Sequence, residues 1–482
     1  MRWHYIINII GILLIFLGLT IICPILCSLY FKDQSLVALL QSMIITMVVG
    51  FALFLASKRP AIEYINSKEA MAIVALSWTS IGLFGALPFF LDKTLPCFTD
   101  AFFESVSGFT TTGSSVITNI ENVSKSLLFW RSFIQWLGGM GIIVLSLAIL
   151  PFLGVGGMQL FKAEVPSPVP DKIRPRLRES AKILWYVYAL ISFLEIIFLL
   201  GGGMNFYDSL CHTFTTMPTG GFSTKNISIA YYNSQYFDYV IIVFMFLAGI
   251  NFSLHYQLIR GRTLIFWKDS ECRFFLLVTL SLIMIVTFNI YGTVYTKISE
   301  AFRYACFQIV SIITTTGYAT ADYETWPELS QIIIFMCMFI GACAGSTGGG
   351  MKCSRIMACF KYCYRELFTL IHPRSIAQIK INSNVIQDNT LKSIMGFIIL
   401  YIGLFIFCSI LLSCLGIDII TSFGAVAACI GNIGPGFGGV GPTDNFAHIP
   451  FLGKWILIWC MLLGRLEIYT VLILLVPEFW KK

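Results

Sequence analysis

Residues 341–352 read GACAGSTGGGMK and follow the apolar run IIIFMCMFI. Glycine-rich backbone closed by a lysine is the material of a phosphate cradle, in which N–H groups and an ammonium hold phosphate oxygens. The order of residues is wrong for that use. A phosphate loop needs lysine directly after its last glycine and then Ser or Thr; here Met351 intervenes and Cys353 follows Lys352. Gly434-Pro-Gly436-Phe-Gly-Gly439 satisfies G-x-G-x-x-G, but no strand precedes it and no βαβ unit surrounds it. None of the five histidines forms H-E-x-x-H, and the fifteen cysteines stand mostly singly in apolar runs, as at Cys337, Cys343, Cys408 and Cys460. They read as small apolar residues rather than as a zinc or disulfide framework. With no catalytic dyad, metal cluster or Walker lysine-serine, a membrane enzyme using the glycine loops for phosphate is disfavoured; the expectation is a chain that is not an enzyme and binds no cofactor.

A second set of glycines is more informative. DAFFESVSGFTTTGSS begins at Asp100, DSLCHTFTTMPTGGFST at Asp208, EAFRYACFQIVSIITTTGYAT at Glu300 and DIITSFGAVAACIGNIGPGFGG at Asp418. Each is a semi-apolar stretch, too short to cross a bilayer, that ends in Thr-Gly or Asn/Gly. The marker glycines Gly113, Gly220, Gly317 and Gly434 recur with a period of roughly 107 residues, so the chain repeats itself four times. Threonine-glycine turns suit a ring of backbone carbonyls, because glycine accepts φ > 0 and lets oxygens face inward. Such a ring replaces the hydration shell of a monovalent cation. TTTGYAT lies nearest to the potassium-filter pattern and TTTGSS next, whereas MPTGG and NIGPG depart from it.

The elements that must position these loops follow from composition. The chain is 57% hydrophobic and 12% charged, with a mean hydropathy of +0.82, against about 25% charged residues in soluble domains. A membrane helix needs roughly 20 apolar residues. Ten segments qualify: 5–29, 36–57, 70–92, 127–153, 183–203, 237–258, 273–293, 329–358, 393–415 and 451–479. With a cytoplasmic N-terminus, 23 of the 32 Lys and Arg lie on the inner side, a positive-inside bias that places both termini in the cytoplasm. The first run, Tyr5 to Tyr30, lacks a signal-peptidase site and is retained as a helix. The expected fold is therefore an all-α polytopic membrane protein. Four pseudo-symmetric units of helix, half-helix, filter loop and helix surround a central pore, and an N-terminal helical pair stands outside the repeat. Backbone that is neither helix nor barrel survives at membrane depth only where it lines a cavity or is buried in protein. The acid opening each half-helix (Asp100, Asp208, Glu300 or Asp418) is expected to satisfy free N–H groups and oppose the dipole.

The divisions are 1–68 for the N-terminal pair, 69–159 for the first unit, 160–182 for a basic cytoplasmic loop and 183–259 for the second unit. A loop at 260–272, the third unit at 273–360, a loop at 361–392 and the fourth unit at 393–482 complete the chain. The proline-bearing basic loop is also a candidate docking surface for a cytosolic partner or anionic lipid. Gly345-Ser346-Thr347-Gly348-Gly349-Gly350 should break the eighth span, since glycine in a helix costs about 1 kcal/mol each relative to alanine. Such an unwound segment beneath a filter can obstruct conduction and move at low energetic cost, and only the third unit carries it. Arg465, at the middle of an otherwise apolar helix, is expensive to expose to lipid. Freed carbonyls of the glycine loop are its expected partners, with Arg465 either holding the loop across the pore or merely tying two helices together. Glu104 reads as a structural carboxylate and His212 as a packed residue.

WLGGMGIIVLSLAILP at 136–151, GGMQLFKAE at 156–164, the loops SGFTTTGSS and SIITTTGYATAD, AGSTGGGMK, and GNIGPGFGGVGP followed by MLLGRLEIYTVLILLVPEFW carry a resemblance. They are similar to the Trk/Ktr superfamily of potassium transporters, and nearly the whole chain resembles its TrkH/TrkG-type uptake subunits. The resemblance implies a potassium-conducting subunit of the bacterial inner membrane, usually a homodimer, working with a cytosolic ring of nucleotide-binding TrkA-like regulatory subunits. It implies no cofactor and no nucleic acid, with membrane lipids as surroundings and K+ as the transported ion. Carried over by motif, K+ coordination falls to Thr111 and Thr112, Pro218 and Thr219, Thr315 and Thr316, and Asn432 and Ile433. The gating loop falls to Gly341–Gly350 with Arg465. A sodium-coupled or broadly monovalent-selective member of the same fold is the alternative.

Overall fold

The computed structural model describes residues 1–57, 66–141, 177–375, 378–382 and 384–480. The stretches 142–153 of the fourth expected span and 160–176 of the basic loop lie outside the described residues. Among those described, six helices are long and apolar enough to cross a membrane: Trp3–Phe31, Leu36–Ala56, Lys68–Leu91, Ala181–Gly201, Ser270–Ile290 and Asp388–Cys414. The first two form the N-terminal pair. Their backbones meet closely because a Cβ at Gly50 would lie 2.9 Å from the Ile15 amide nitrogen and 3.0 Å from the Gly11 carbonyl oxygen. Small residues are what allow such approach in a membrane. The other four each open one repeat unit.

Every opening span is followed by a half-helix: Phe98–Phe109, Phe206–Thr216, Ile298–Ile313 and Ile419–Ile430. At 1.5 Å per residue the longest, of 16 residues, reaches about 24 Å, short of a hydrocarbon core of about 30 Å. Their opening acids act differently from the expectation. Only Asp418 caps its helix, accepting from the Thr421 amide at 2.9 Å. In the second unit Asn205 takes that place, and Asp208 instead accepts from the Thr224 hydroxyl at 2.7 Å. Asp100 pairs with Lys454 at 2.6 Å, and Glu300 faces Lys297 at 3.5 Å on the surface. Those three carboxylates have side-chain partners instead of the free helix amides, and all three still lie in the first turn of their helices.

The closing spans depart further from expectation. They are short helices, Lys125–Gly139, Gln235–Ala248, Glu328–Ile340 and Phe451–Arg465, of 13 to 15 residues. The chain then turns by 100° into Phe252–Ile259 in the second unit and by 120° into Ile468–Leu475 in the fourth. The third unit resumes only at Cys353–Ile371. Segments 237–258, 329–358 and 451–479 are thus not continuous helices, and the break is not confined to the third unit. Arg465 is the last residue of its helix rather than its middle. What distinguishes the third unit is length: twelve residues, 341–352, stand where the second unit has three and the fourth two.

A buried ion pair fixes the first half-helix. Glu104, fully buried, accepts from Arg131 Nε at 2.6 Å, from the Ser115 hydroxyl at 3.0 Å and from the Val116 amide at 2.9 Å. Arg131 also donates to the Ser223 carbonyl at 3.0 Å and lies over the Phe222 ring. Glu104 is structural: it and Arg131 tie the chain leaving the first loop to the chain leaving the second. His212 is packed, with its ring nitrogens on the Asp208 carbonyl at 2.8 Å and the Ser223 hydroxyl at 3.1 Å. Arg131→Met should destabilise the protein by about 3–5 kcal/mol, because it strands a buried charge. Thermal unfolding in detergent checks this, and Glu104→Gln added to Arg131→Met should recover most of the loss.

Candidate functional site

The half-helices all end the same way. Thr111, Thr219, Thr315 and Asn432 stand at φ of 54°, 57°, 62° and 53°, and Gly113, Gly221, Gly317 and Gly434 at 85°, 70°, 79° and 110°. The amides of Thr111, Thr219, Thr315 and Asn432 donate three residues back, to the carbonyls of Gly108, Thr216, Ile312 and Cys429. The next amides, of Thr112, Gly220, Thr316 and Ile433, donate five back, to Ser107, Thr215, Ser311 and Ala428. This left-handed termination satisfies the last helix carbonyls. It also sets the register. Gly221, not Gly220, is the counterpart of Gly113, Gly317 and Gly434; Gly220 matches Thr112, and Pro218 falls one step early. Two adjacent glycines, only one of them needing φ > 0, make that offset invisible to spacing.

The four turns close on one another. A Cβ added at Gly113 would overlap the Gly220 carbonyl oxygen, one at Gly221 that of Thr316, and one at Gly317 that of Ile433. A Cβ at Gly434 would lie 3.0 Å from the Thr112 oxygen. Each glycine therefore seats the carbonyl of the next unit, and the fourth returns to the first. Side chains brace the ring from outside. Gln135 donates to the Gly220 carbonyl at 2.7 Å and accepts from the Phe222 amide, and the Tyr318 hydroxyl bonds Thr215. Asn432 Nδ2 donates to Thr112 Oγ1 at 2.9 Å and to the Met461 carbonyl at 3.0 Å. Thr111, Thr112, Thr219, Thr315, Thr316, Asn432 and Ile433 are at most 1% exposed. Their carbonyls receive no hydrogen bond from the described residues.

The segment Gly345 to Gly350 lies against one end of this ring. The Gly349 amide donates to Thr315 Oγ1 at 2.7 Å. A Cβ at Gly348 would lie 2.9 Å from the Thr314 carbonyl oxygen, and one at Gly349 would overlap that of Gly431. Thr347 Oγ1 donates to the Met217 and Ala248 carbonyls at 3.0 and 3.2 Å, and the Phe252 amide donates to the Gly345 carbonyl at 3.1 Å. Ser346 folds back on the Cys343 carbonyl. Arg465 Nη1 donates to the Thr347 carbonyl at 2.8 Å, and Nη2 to those of Gly138 and Gly139 at 2.7 and 3.2 Å. The loop is thereby held by the second, third and fourth units, and Arg465 links it to the first.

Several residues here take roles that spacing alone does not expose. Lys352 is buried at φ 74°, and its Nζ donates to the Gly348 carbonyl. Glu467 pairs with Arg355, whose guanidinium lies over Phe397. Gln135 shows only as a polar letter in an apolar run, and Glu271 as one of several charges in 268–273. Gly221→Ala should be far more damaging than Gly220→Ala. The former must overlap backbone and hold a left-handed alanine at about 1 kcal/mol or more; the latter displaces only the end of the Gln135 side chain. Comparing thermal stability and ion flux of the two variants checks the register.

Residues 35–482 match the TrkH family model, described as a cation transport protein. The chain is 41% identical to the Trk system potassium uptake protein TrkH of Salmonella typhimurium over 490 residues, covering all of both. It is 34% identical to the Trk system potassium uptake protein TrkG of Escherichia coli K12, covering 98% of this chain and 97% of that one. The crystal structure of the potassium transporter TrkH from Vibrio parahaemolyticus superposes with a TM-score of 0.90 at 37% identity, over the full length of both chains. Fourfold half-helices, a closed ring of glycine turns and full-length similarity agree: this multi-pass membrane protein belongs to the TrkH family of cation transport proteins and is not an enzyme.

Proposed function

We propose that this chain takes up potassium across the bacterial inner membrane, through the ring of glycine turns and under control of the 345–350 loop. The observation that carries the reading is the set of buried carbonyls on Thr111, Thr112, Thr219, Thr315, Thr316, Asn432 and Ile433 that no described donor satisfies. A buried peptide oxygen without a donor is unfavourable, and a dehydrated monovalent cation is the partner that a ring of such oxygens fits. Pro218 takes a lesser part than the motif implies, because Thr219 holds the matching position. The names of the relatives supply the ion.

The loop Gly345, Ser346, Thr347, Gly348, Gly349 and Gly350 obstructs the path below the ring, and Arg465 fastens it there while adding a positive charge that repels cations. The same relatives support a Trk-system assembly. On that reading the chain is a homodimer bound to a nucleotide-sensing TrkA-like subunit, with both termini cytoplasmic.

Radiotracer potassium flux in proteoliposomes tests both parts. Arg465→Ala, or deletion of residues 345–350, should raise flux roughly tenfold, the effect of removing about 1.4 kcal/mol of closed-state preference. Unchanged flux in both variants would sink the gating role. Failure of the wild-type chain to rescue uptake-deficient cells at micromolar potassium would sink the ion assignment.

A further inference from the structure

The carboxylate of Glu271, one residue into the span Ser270–Ile290, lies apart from the ring and from Arg465. Its Oε1 accepts from the Ala344 amide at 2.7 Å and from the Ser354 amide at 3.0 Å. Those amides stand on opposite sides of the glycine loop: Ala344 directly precedes Gly345, and Ser354 is the second residue of the helix Cys353–Ile371. A single oxygen thus joins the loop's entry to its exit. The Ala342 carbonyl, accepting from the Cys353 amide at 3.0 Å, closes the same neck. A carboxylate at a helix amino end also interacts favourably with its dipole, so Glu271 serves as a cap donated by another span.

The residues just before Glu271 are held in turn. Asp269 caps the span through the Cys272 amide at 2.8 Å, and its second oxygen accepts from Asn382 Nδ2 at 2.9 Å. The Ser270 amide donates to Asn382 Oδ1 at 2.7 Å, and the Asn382 amide donates back to Ser270 Oγ at 3.1 Å. Asn382 sits at φ 54° in the turn between the paired strands Lys380–Ile381 and Asn384–Val385. The hairpin grips Asp269 and Ser270 by hydrogen bonds, and the next residue along the backbone, Glu271, grips the two ends of the loop, so one short segment connects the exposed surface to the loop.

We infer that Glu271 is a positioning residue that latches the glycine loop closed, and that the 380–385 hairpin is the handle by which the latch is released. The inference rests on the gating reading above. Displacing the hairpin draws Asp269 and Ser270 with it, moves the carboxylate off one or both amides and opens the neck, without touching the ring. Selectivity is therefore unchanged while the open population rises.

The test is potassium flux of the full chain in proteoliposomes with hydrogen exchange over 342–354. Glu271→Ala should raise flux by about tenfold or more, since both hydrogen bonds that hold the neck are lost. Exchange of the Ala344 and Ser354 amides should accelerate, and the potassium-to-sodium flux ratio should stay at its wild-type value. Added to Arg465→Ala, the substitution should give less than the product of the single effects, since both release one element. Asn382→Ala should give a smaller rise in the same direction. Glu271→Met, similar in volume and without an acceptor, carries the test if the alanine variant does not insert. Wild-type exchange and flux in the Glu271 variants, with Arg465→Ala raised, would overturn the latch and leave the gate standing. Unchanged flux with Arg465→Ala and with the loop deletion would remove the gate itself.

Discussion

Four chain reversals must meet at one point, and they do so by seating a carbonyl oxygen against a glycine. Gly113 receives the Gly220 oxygen, Gly221 that of Thr316, Gly317 that of Ile433 and Gly434 that of Thr112. A side chain at any of these glycines would push one unit away from the next. The half-helices, the offset second turn and the bracing from Gln135 and Asn432 follow from keeping those seats filled. Hydrophobic packing cannot substitute for this, because between lipid-facing helices apolar contact gives little preference for one arrangement over another. Polar and backbone contacts set the geometry, and the Glu104–Arg131 pair performs the same task one layer out.

Much of this was legible in the letters. The fourfold repeat and the half-helices followed from length, period and the position of Thr-Gly turns. So did the interruption at 345–350 and a carbonyl partner for Arg465. These are properties of composition along the chain, which a linear reading captures. What escaped were relations across it. Nothing in MPTGG says which glycine is left-handed, because that depends on which neighbouring carbonyl arrives. The breaks after Ala248 and Arg465 leave only a faint mark, Gly249 with Asn251 and Arg465 with Glu467 in mostly apolar runs; the bend itself depends on what packs below the ring. Glu271 is one of several charges in 268–273, and Lys352 closes a motif shaped like a phosphate cradle; their partners are backbone groups more than seventy residues away in one case and four in the other.

The fourth turn departs most from the others in sequence yet matches them in backbone. NIGPG replaces two threonines with Asn432 and Ile433 and still reproduces the same pattern of amide donors. Threonine hydroxyls pair within the turns of the first and third units, Thr110 with Thr112 and Thr314 with Thr316. The other two units have no such pair, and Asn432 reaches across to Thr112 instead. Backbone shape is thus shared by all four quarters while side-chain support differs in each.

The ends of the closing helices have an electrostatic consequence. A helix carboxyl end carries about half a negative charge; the Ala248 carbonyl faces the 341–352 segment, and those of Gly138 and Gly139 face Arg465. While that segment is in place, the Arg465 guanidinium and the Thr347 hydroxyl occupy those carbonyls. Any withdrawal of the loop therefore does more than clear space. Under the proposed gating it also takes the Thr347 hydroxyl away from the Met217 and Ala248 carbonyls, leaving bare oxygens beside the ring that a cation could use.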